Sequence, residues 1–341
     1  MWLRKPGRED SWRLVADLTE LNKRCVKDVY HFPSPEELWK KVKPKSKLFL
    51  SIDACSSYHQ VKLSEESKKL VRVSLPQGVF EYQVAAQGHM NSGSSWNRHS
   101  DKALENAIKN GDCSKGVDDL LIEGEEEDEI LQKLERVLQQ ARKANLTFSR
   151  KKVMFGPEVD FCGYRITAKG CFPLPSKLKA IREFEAPSCE TELRQYLGMC
   201  QSMAHFMPDL SQATLPLRAL LKKENEFRWG PNEDKVFNEV KGIMVENMSR
   251  VAFDETKPLK YIGDASSHGL GYVLLQWHED EESRCEDKSK ICQCRWRLLW
   301  ANSTTLKPSY RHLSSIYLEM ISIHWGVRDA QYFIKGCVNL S

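Results

Sequence analysis

The feature that most limits what this chain can fold into is a carboxylate ending an apolar run, followed 65 positions later by an acidic pair set among apolar residues. Leu48-Phe49-Leu50-Ser51-Ile52-Asp53 reads as a short strand that stops on a charge. Val117-Asp118-Asp119-Leu120-Leu121-Ile122 places two carboxylates against hydrophobic residues. Between them, Ser92-Gly93-Ser94-Ser95 supplies cap-type residues for a helix over about 96–110, closed by Gly111. A helix in that position lets the two acidic segments lie side by side in one sheet, the second folding as a hairpin whose turn presents the pair. Carboxylates gathered in this way repel one another, so the arrangement is costly without a cation. An Asp-Asp dipeptide is also a common turn signal. Its weight here comes from the combination with Asp53 and from the flanking Val117 and Leu120-Leu121-Ile122.

Converging carboxylates of this kind suit nucleotidyl transfer. They hold two divalent ions about 4 Å apart, one activating an attacking 3′-hydroxyl and one offsetting the charge of the triphosphate and leaving group. Hard oxygen ligands match magnesium.

The rest of the chain supplies a soluble frame. Its 341 residues suggest two or three domains. Hydrophobic residues at 41% are too many for a disordered chain. No run of about 18 apolar residues is present, and the first residues lack an apolar signal core. Eleven scattered cysteines without an export signal read as reduced, intracellular thiols. Cys285, Cys292 and Cys294 lie close together, but no neighbouring His or Cys completes a zinc pattern. The net charge of +4 says little by itself. Lys40, Lys41, Lys43, Lys45 and Lys47 form a basic cluster, which suits either a solvated loop or a phosphate backbone. The acidic run from Glu123 to Glu129 reads as a solvated loop.

Val79 to Val84 alternates as a strand. Ile130, Leu134, Val137, Leu138 and Ala141 recur at the helical period and Asn145 is a fitting stop. Lys152 to Arg165 reads as a hairpin. Past Pro173 the pattern becomes helical, over about 176–184, 190–205 with Ser188 as cap, and 231–247. Leu259 to Asp264 is a second strand ending on a carboxylate, Gly269-Leu270-Gly271 a tight turn, 278–294 a charged loop insertion, and 314–333 a final helix.

Several motifs, in order, resemble the polymerase of gypsy-type LTR retrotransposons and, through it, retroviral reverse transcriptases. Trp12-Arg13-Leu14-Val15-Ala16-Asp17-Leu18-Thr19-Glu20-Leu21-Asn22-Lys23 is similar to the fingers motif. Ser51-Ile52-Asp53-Ala54-Cys55-Ser56-Ser57-Tyr58-His59-Gln60-Val61 resembles the first palm motif. Gln87-Gly88 with Asn91-Ser92-Gly93 resembles the motif beneath the nucleotide, and Val117-Asp118-Asp119 the catalytic pair. Phe161-Cys162-Gly163-Tyr164 resembles the hairpin that grips the primer end. Each motif alone is weak to moderate; together they are specific.

The resemblance implies that Asp53, Asp118 and Asp119 ligate the metal ions. It implies that Arg13, Ala54, Tyr58 and Gln87 bind the substrate, Arg13 at the triphosphate and Tyr58 below the sugar, where its ring excludes a 2′-hydroxyl. Phe161, Cys162, Gly163 and Tyr164 would form the primer grip. Two positions depart from the family. Gly116 stands where an aromatic residue usually touches the primer, and Gln87 matches the retroviral version where many gypsy-type members carry Phe.

Asp264-Ala265-Ser266-Ser267-His268-Gly269-Leu270-Gly271 resembles the opening hairpin of a retrotransposon ribonuclease H domain, with Asp264 as a metal ligand. Leu318-Glu319-Met320-Ile321-Ser322-Ile323 resembles its catalytic helix, with Glu319 as a second ligand. The periodicity agrees, because Ile316 and Ile323 place Glu319 on or beside an apolar face. The family's next Asp is expected a few residues past Ser341, so this domain is expected to be partial and to cut hybrids poorly.

The expected fold is therefore α+β. A palm-and-fingers polymerase over 1–172 is followed by a helical thumb and connection region over 173–250 and a partial ribonuclease H-like α/β domain over 251–341. The expected cofactor is a pair of Mg ions, with Mn as substitute. The expected partners are an RNA template, a DNA primer, deoxynucleoside triphosphates, an RNA-DNA hybrid and other Pol subunits, and no membrane. The expected location is intracellular, in a cytoplasmic virus-like particle or the nucleus. The alternative is a non-catalytic retroelement remnant that at most binds nucleic acid.

Overall fold

The computed structural model describes residues 2–4, 12–34, 37–38, 41–43, 45–206, 210–222, 227–245, 251, 253–278, 295–310, 312–335, 337 and 340. The chain divides into two compact units, one of residues 1–38 and 46–162, the other of 39–45 and 163–341. Lys40, Cys285, Cys292, Cys294 and nearly all of the 278–294 insertion lie outside the described residues.

The first unit opens with a short antiparallel pair, β1 (Trp2–Arg4) and β2 (Trp12–Leu14), and helix α1 (Thr19–Arg24). Strand β3 (Leu48–Asp53) matches the sequence reading residue for residue. Helix α2 (Glu65–Leu70) is capped by the Ser64 side chain, which accepts from the Ser67 N–H. The segment expected as a strand to Val84 instead stops at Glu81. It forms β5 (Gly78–Glu81) of a hairpin with β4 (Arg72–Leu75), turned at Gly78 with φ 134°.

The helix expected over 96–110 starts four residues earlier and breaks at Leu104, giving α3 (Ser92–Ala103) and α4 (Glu105–Lys109). A hairpin of β6 (Ser114–Lys115) and β7 (Asp119–Gly124) follows, then α5 (Glu127–Lys143). Acidic Glu127, Asp128 and Glu129 in the first turn of α5 and basic Arg142 and Lys143 in the last complement the helix dipole. Asn145, left-handed at φ 55°, ends it. The span expected as one hairpin, 152–165, is broken further. It holds β8 (Met154–Gly156), β9 (Glu158–Phe161) and the start of β10 (Tyr164–Thr167). Gly156, at φ 154°, and the left-handed Cys162 and Gly163 supply the extra turns.

Four strands form an antiparallel sheet in the order β6-β7-β3-β8. The two central strands are buried along most of their length, which is why both read as nearly continuous apolar runs. Leu50, Ile52, Leu120 and Ile122 face the helices and pack with Trp96, Leu104, Ile130 and Val137 in one core. Ile122, Ile130 and Val137 have no solvent exposure.

In the second unit, β10 pairs with β11 (Gly170–Pro173). Helices α6 (Pro175–Arg182), α7 (Glu190–Gln201), α8 (Leu210–Ala213), α9 (Leu215–Ala219) and α10 (Pro231–Val245) follow. Ser188 does not cap α7. Cys189 holds the cap position, and the Ser188 N–H and hydroxyl donate to Glu192. A second antiparallel sheet has the order β12 (Leu259–Ala265), β13 (Gly269–Trp277), β14 (Trp296–Thr305). Helix α11 (Ser315–Asp329) packs on β12 and β13, and the helix expected through 333 breaks at Ala330 into α12 (Gln331–Ile334). No helix among the described residues is long and apolar enough to cross a membrane.

Candidate nucleotidyl-transfer site

Register decides where the carboxylates go. In the β3–β7 ladder Ile52 opposes Leu120, and both belong to the helix-packed core. Side chains alternate along a strand, so the next pair, Asp53 and Asp119, projects from the other face. The two acids sit directly across from each other although 66 residues apart in sequence. Asp118 lies in the turn immediately before β7.

That turn is pinned from several sides. The Gly116 N–H donates to the Asp119 carbonyl at 2.9 Å, which closes the hairpin. The Ala54 N–H donates to the Asp118 carbonyl at 2.8 Å, so the residue after Asp53 fixes the backbone of Asp118. The indole Nε1–H of buried Trp96 donates to the Val117 carbonyl at 2.9 Å.

The electrostatics are those of crowded acids. Burial first, then Asp53 and Asp118, raise the Asp119 carboxyl above the usual range, while the Cys162 N–H and Lys152 pull it back. Asp118 Oδ1 is buried and has no hydrogen-bond partner. Lys152 Nζ lies 2.8 Å from Asp53 Oδ1. Among the described residues no group of three His, Cys, Asp or Glu side chains is placed to hold a metal ion as the chain stands. The Lys152 ammonium holds Asp53. A partnerless buried carboxylate oxygen and an acid pushed up by two others fit a divalent cation, whose charge would relieve both.

The remaining expected residues fall as follows. Arg13 lies in β2, and its side chain is outside the described residues. Ala54 is buried against the same core as Ile52. Tyr58 is half-buried, and its hydroxyl titrates above the usual value, through burial and then the nearby Asp118. Gln87 is half-buried with its Oε1 buried and without a partner. Phe161 is buried at the end of β9. Cys162 follows in the left-handed region at φ 48°, its thiol pushed up to about 12 by burial and then Asp119. A Cβ built at Gly116 would overlap the Cys162 Sγ, so the thiol fills the space where a side chain at 116 would begin. Gly163 has φ 82°, and in the second unit the Lys177 ammonium lies over the Tyr164 ring, 5.0 Å from its centroid.

In the second unit Asp264 is exposed near the end of β12, opposite Gly271 of β13. Glu319 departs from the expectation. It is exposed, and so are Ile316 and Ile323, at 68% and 51%. The buried face of α11 is instead Leu318, Ser322 and Gly326. The sheet demands small residues on this face. A Cβ on Gly326 would overlap the Tyr261 hydroxyl, and the Ser322 hydroxyl sits 2.9 Å from the Asp264 carbonyl and 3.2 Å from that of Gly271. Periodicity picked the wrong stripe because α11 is apolar on most of its circumference.

Lys152, Trp96 and Ser322 were not legible as site residues. In the sequence Lys152 is one of three consecutive basic residues, Arg150-Lys151-Lys152, and the order of residues alone marks neither Trp96 nor Ser322.

Residues 3–166 match the family described as reverse transcriptase (RNA-dependent DNA polymerase). Residues 229–339 match the RNase H-like domain found in reverse transcriptase. The Transposon Tf2-3 polyprotein of Schizosaccharomyces pombe is 31% identical over 278 residues, and the Tf2-7 polyprotein of the same organism is 30% identical. Each alignment takes in 81% of this chain but 21% of the relative, so the chain spans about a fifth of the length of these polyproteins. The fold is similar to a foamy viral protease-reverse transcriptase solved with an RNA/DNA hybrid. The TM-score is 0.80 at 18% identity, covering 96% of this chain and 42% of that one. The same viral protein with double-stranded DNA gives a TM-score of 0.79 at 19% identity, over 97% and 65% of the two chains.

Proposed function

We propose, on the premise that the chain carries a reverse transcriptase domain over 3–166 and an RNase H-like domain over 229–339, that it is an RNA-directed DNA polymerase of a retrotransposon. The observation that carries this reading is the cross-strand pairing of Asp53 with Asp119, with Asp118 in the adjoining turn. Two divalent ions, Mg or Mn, would activate the primer 3′-hydroxyl and offset charge on the triphosphate. Asp53, Asp118 and Asp119 would hold them, with the Lys152 ammonium competing for Asp53. Arg13 suits triphosphate oxygens by its planar fork of donors. Ala54, Tyr58 and Gln87 line the nucleotide, and residues 161–164 contact the primer end.

The substrates on this reading are an RNA template, a DNA primer and deoxynucleoside triphosphates. The RNA/DNA hybrid and double-stranded DNA held by the foamy viral protein support nucleic-acid partners. Work beside other Pol subunits, inside a virus-like particle or the nucleus, is part of the same proposal.

For the second domain the reading is hybrid-directed ribonuclease chemistry at Asp264 and Glu319. Slow hybrid cleavage by this chain is the proposal.

Primer extension on an RNA template with Mg2+ tests the main reading. The chain is expected to extend, and Asp118→Asn to lose at least about 100-fold in rate, as loss of preorganised transition-state electrostatics does. Absence of extension in both forms would leave only a nucleic-acid binder.

A further inference from the structure

The acidic turn is built on a buried ammonium. Lys115, the last residue of β6, keeps only 5% of its side chain exposed. Its Nζ lies 2.9 Å from Asp101 Oδ1 and 3.0 Å from Asn97 Oδ1, both on α3. It also lies 3.3 Å from the Gly116 carbonyl. A buried Lys is rare unless it is paired and hydrogen-bonded, and all three partners here are oxygens.

With the bonds already described, three successive carbonyls are each caught by a different donor. Lys115 Nζ takes Gly116, Trp96 Nε1 takes Val117, and the Ala54 N–H takes Asp118. Two of the three donors depend on α3, since Trp96 lies on it and Lys115 is held by it. The α3 anchor is itself tied outward. Tyr30 donates its hydroxyl to Asp101 Oδ2 at 3.0 Å, and Arg98 lies over the Tyr30 ring and pairs with Asp28 at 2.7 Å. The chain of contacts therefore runs from Asp28 and Tyr30 through α3 to the residue two places before the Asp118–Asp119 pair.

We infer that Lys115 is the positioning residue of the acidic turn, its ammonium held by Asp101 and Asn97 so that the Gly116–Asp119 backbone is fixed before any cation arrives. Mutually repelling carboxylates favour a splayed turn when no ion is present. A backbone locked at each carbonyl opposes that opening and keeps the acids where an ion can use them. The inference rests on the polymerase reading for its consequence and on the turn geometry for its substance.

The test uses the full chain. Lys115→Met keeps length and apolar bulk but removes the clamp. Tyr30→Phe removes a single hydroxyl from the far end of the network and spares the fold. Amide hydrogen exchange of the metal-free chain is expected to speed about tenfold at residues 116–119 in Lys115→Met and two- to threefold in Tyr30→Phe. Exchange in β3 and α5 is expected to stay at its unaltered rate. Mn2+ affinity, followed by electron paramagnetic resonance titration, is expected to weaken in the same order. Extension at saturating Mg2+ should fall less than extension at limiting Mg2+.

Unchanged exchange at 116–119 in both variants overturns the inference. Faster exchange spread evenly over the whole unit also overturns it, because it marks Lys115 as a core residue only. Should the unaltered chain fail to extend primers, the polymerase reading fails while the exchange measurement still decides the role of Lys115.

Discussion

Lys152 Nζ and Asp53 Oδ1 stand 2.8 Å apart, so the strand-end carboxylate is already paired with a cation supplied by the protein. Lys152 is 57% exposed, and exposed pairs contribute about 0–1 kcal/mol. On the proposed reading a divalent ion at Asp53 competes with this ammonium for the carboxylate. Lys152→Met is therefore expected to tighten Mn2+ binding a fewfold, measured by titration calorimetry, with a melting temperature close to that of the unaltered chain. Weaker binding would make Lys152 a support of the ion site and not its competitor.

Asp119 carries the cost of the crowded acids. Its carboxyl titrates above the usual value in the folded chain, because of burial and then Asp53. The sign follows from linkage. The folded state holds the proton more tightly than the unfolded state, so Asp119 starts to lower stability once the pH exceeds the ordinary carboxylate value and does so in full above the folded value. The penalty fades as the pH falls through the folded and then the ordinary carboxylate value. Asp119→Asn should raise the melting temperature of the metal-free chain at neutral pH and abolish the rise expected from Mg2+ in the unaltered chain. Thermal melts with and without EDTA read both effects.

Gly116 and Cys162 share one space. Gly116→Ala forces its Cβ onto the Cys162 Sγ and should cost about 1–3 kcal/mol, the usual range for overpacking. Cys162→Gly empties that space and suits the left-handed φ of 48°. A double-mutant cycle by urea unfolding should show the Gly116→Ala cost cut by at least half in the Cys162→Gly background. Equal costs in both backgrounds would show that the two positions do not touch.

On α11 the buried serine matters more than the exposed isoleucine. Ser322→Ala removes hydrogen bonds to the Asp264 and Gly271 carbonyls and should cost about 1 kcal/mol. Ile316→Ser, at a position 68% exposed, should change stability by less than about 0.5 kcal/mol. The opposite ranking in chemical denaturation would mean that the helix buries its isoleucine stripe.

In the core beneath the acids, Ile122→Ala opens a cavity at a fully buried position and should cost about 2–5 kcal/mol. Circular dichroism melts would register it as loss of the whole first unit, because Ile122 packs in the same core as Trp96, Ile130 and Val137.

Short-range chemistry was legible in the residues themselves. Strand β3, the hairpin turn at Asp118, the amphipathic face of α5 and the left-handed stop at Asn145 all follow from the order of apolar, acidic and turn-forming residues over a few positions. The motifs around Asp53 and Asp118 were legible for the same reason, since each is contiguous. What needed the folded chain was anything set by partners distant in sequence. The register that opposes Asp53 to Asp119, the ammonium of Lys152 on Asp53, the indole of Trp96 on Val117 and the ammonium of Lys115 on Asp101 and Asn97 join residues between 14 and 99 positions apart. The buried stripe of α11 was decided in the same way. A helix apolar on most sides offers several faces, and only the close approach of Tyr261 and the Asp264 carbonyl selects the one with Gly326 and Ser322.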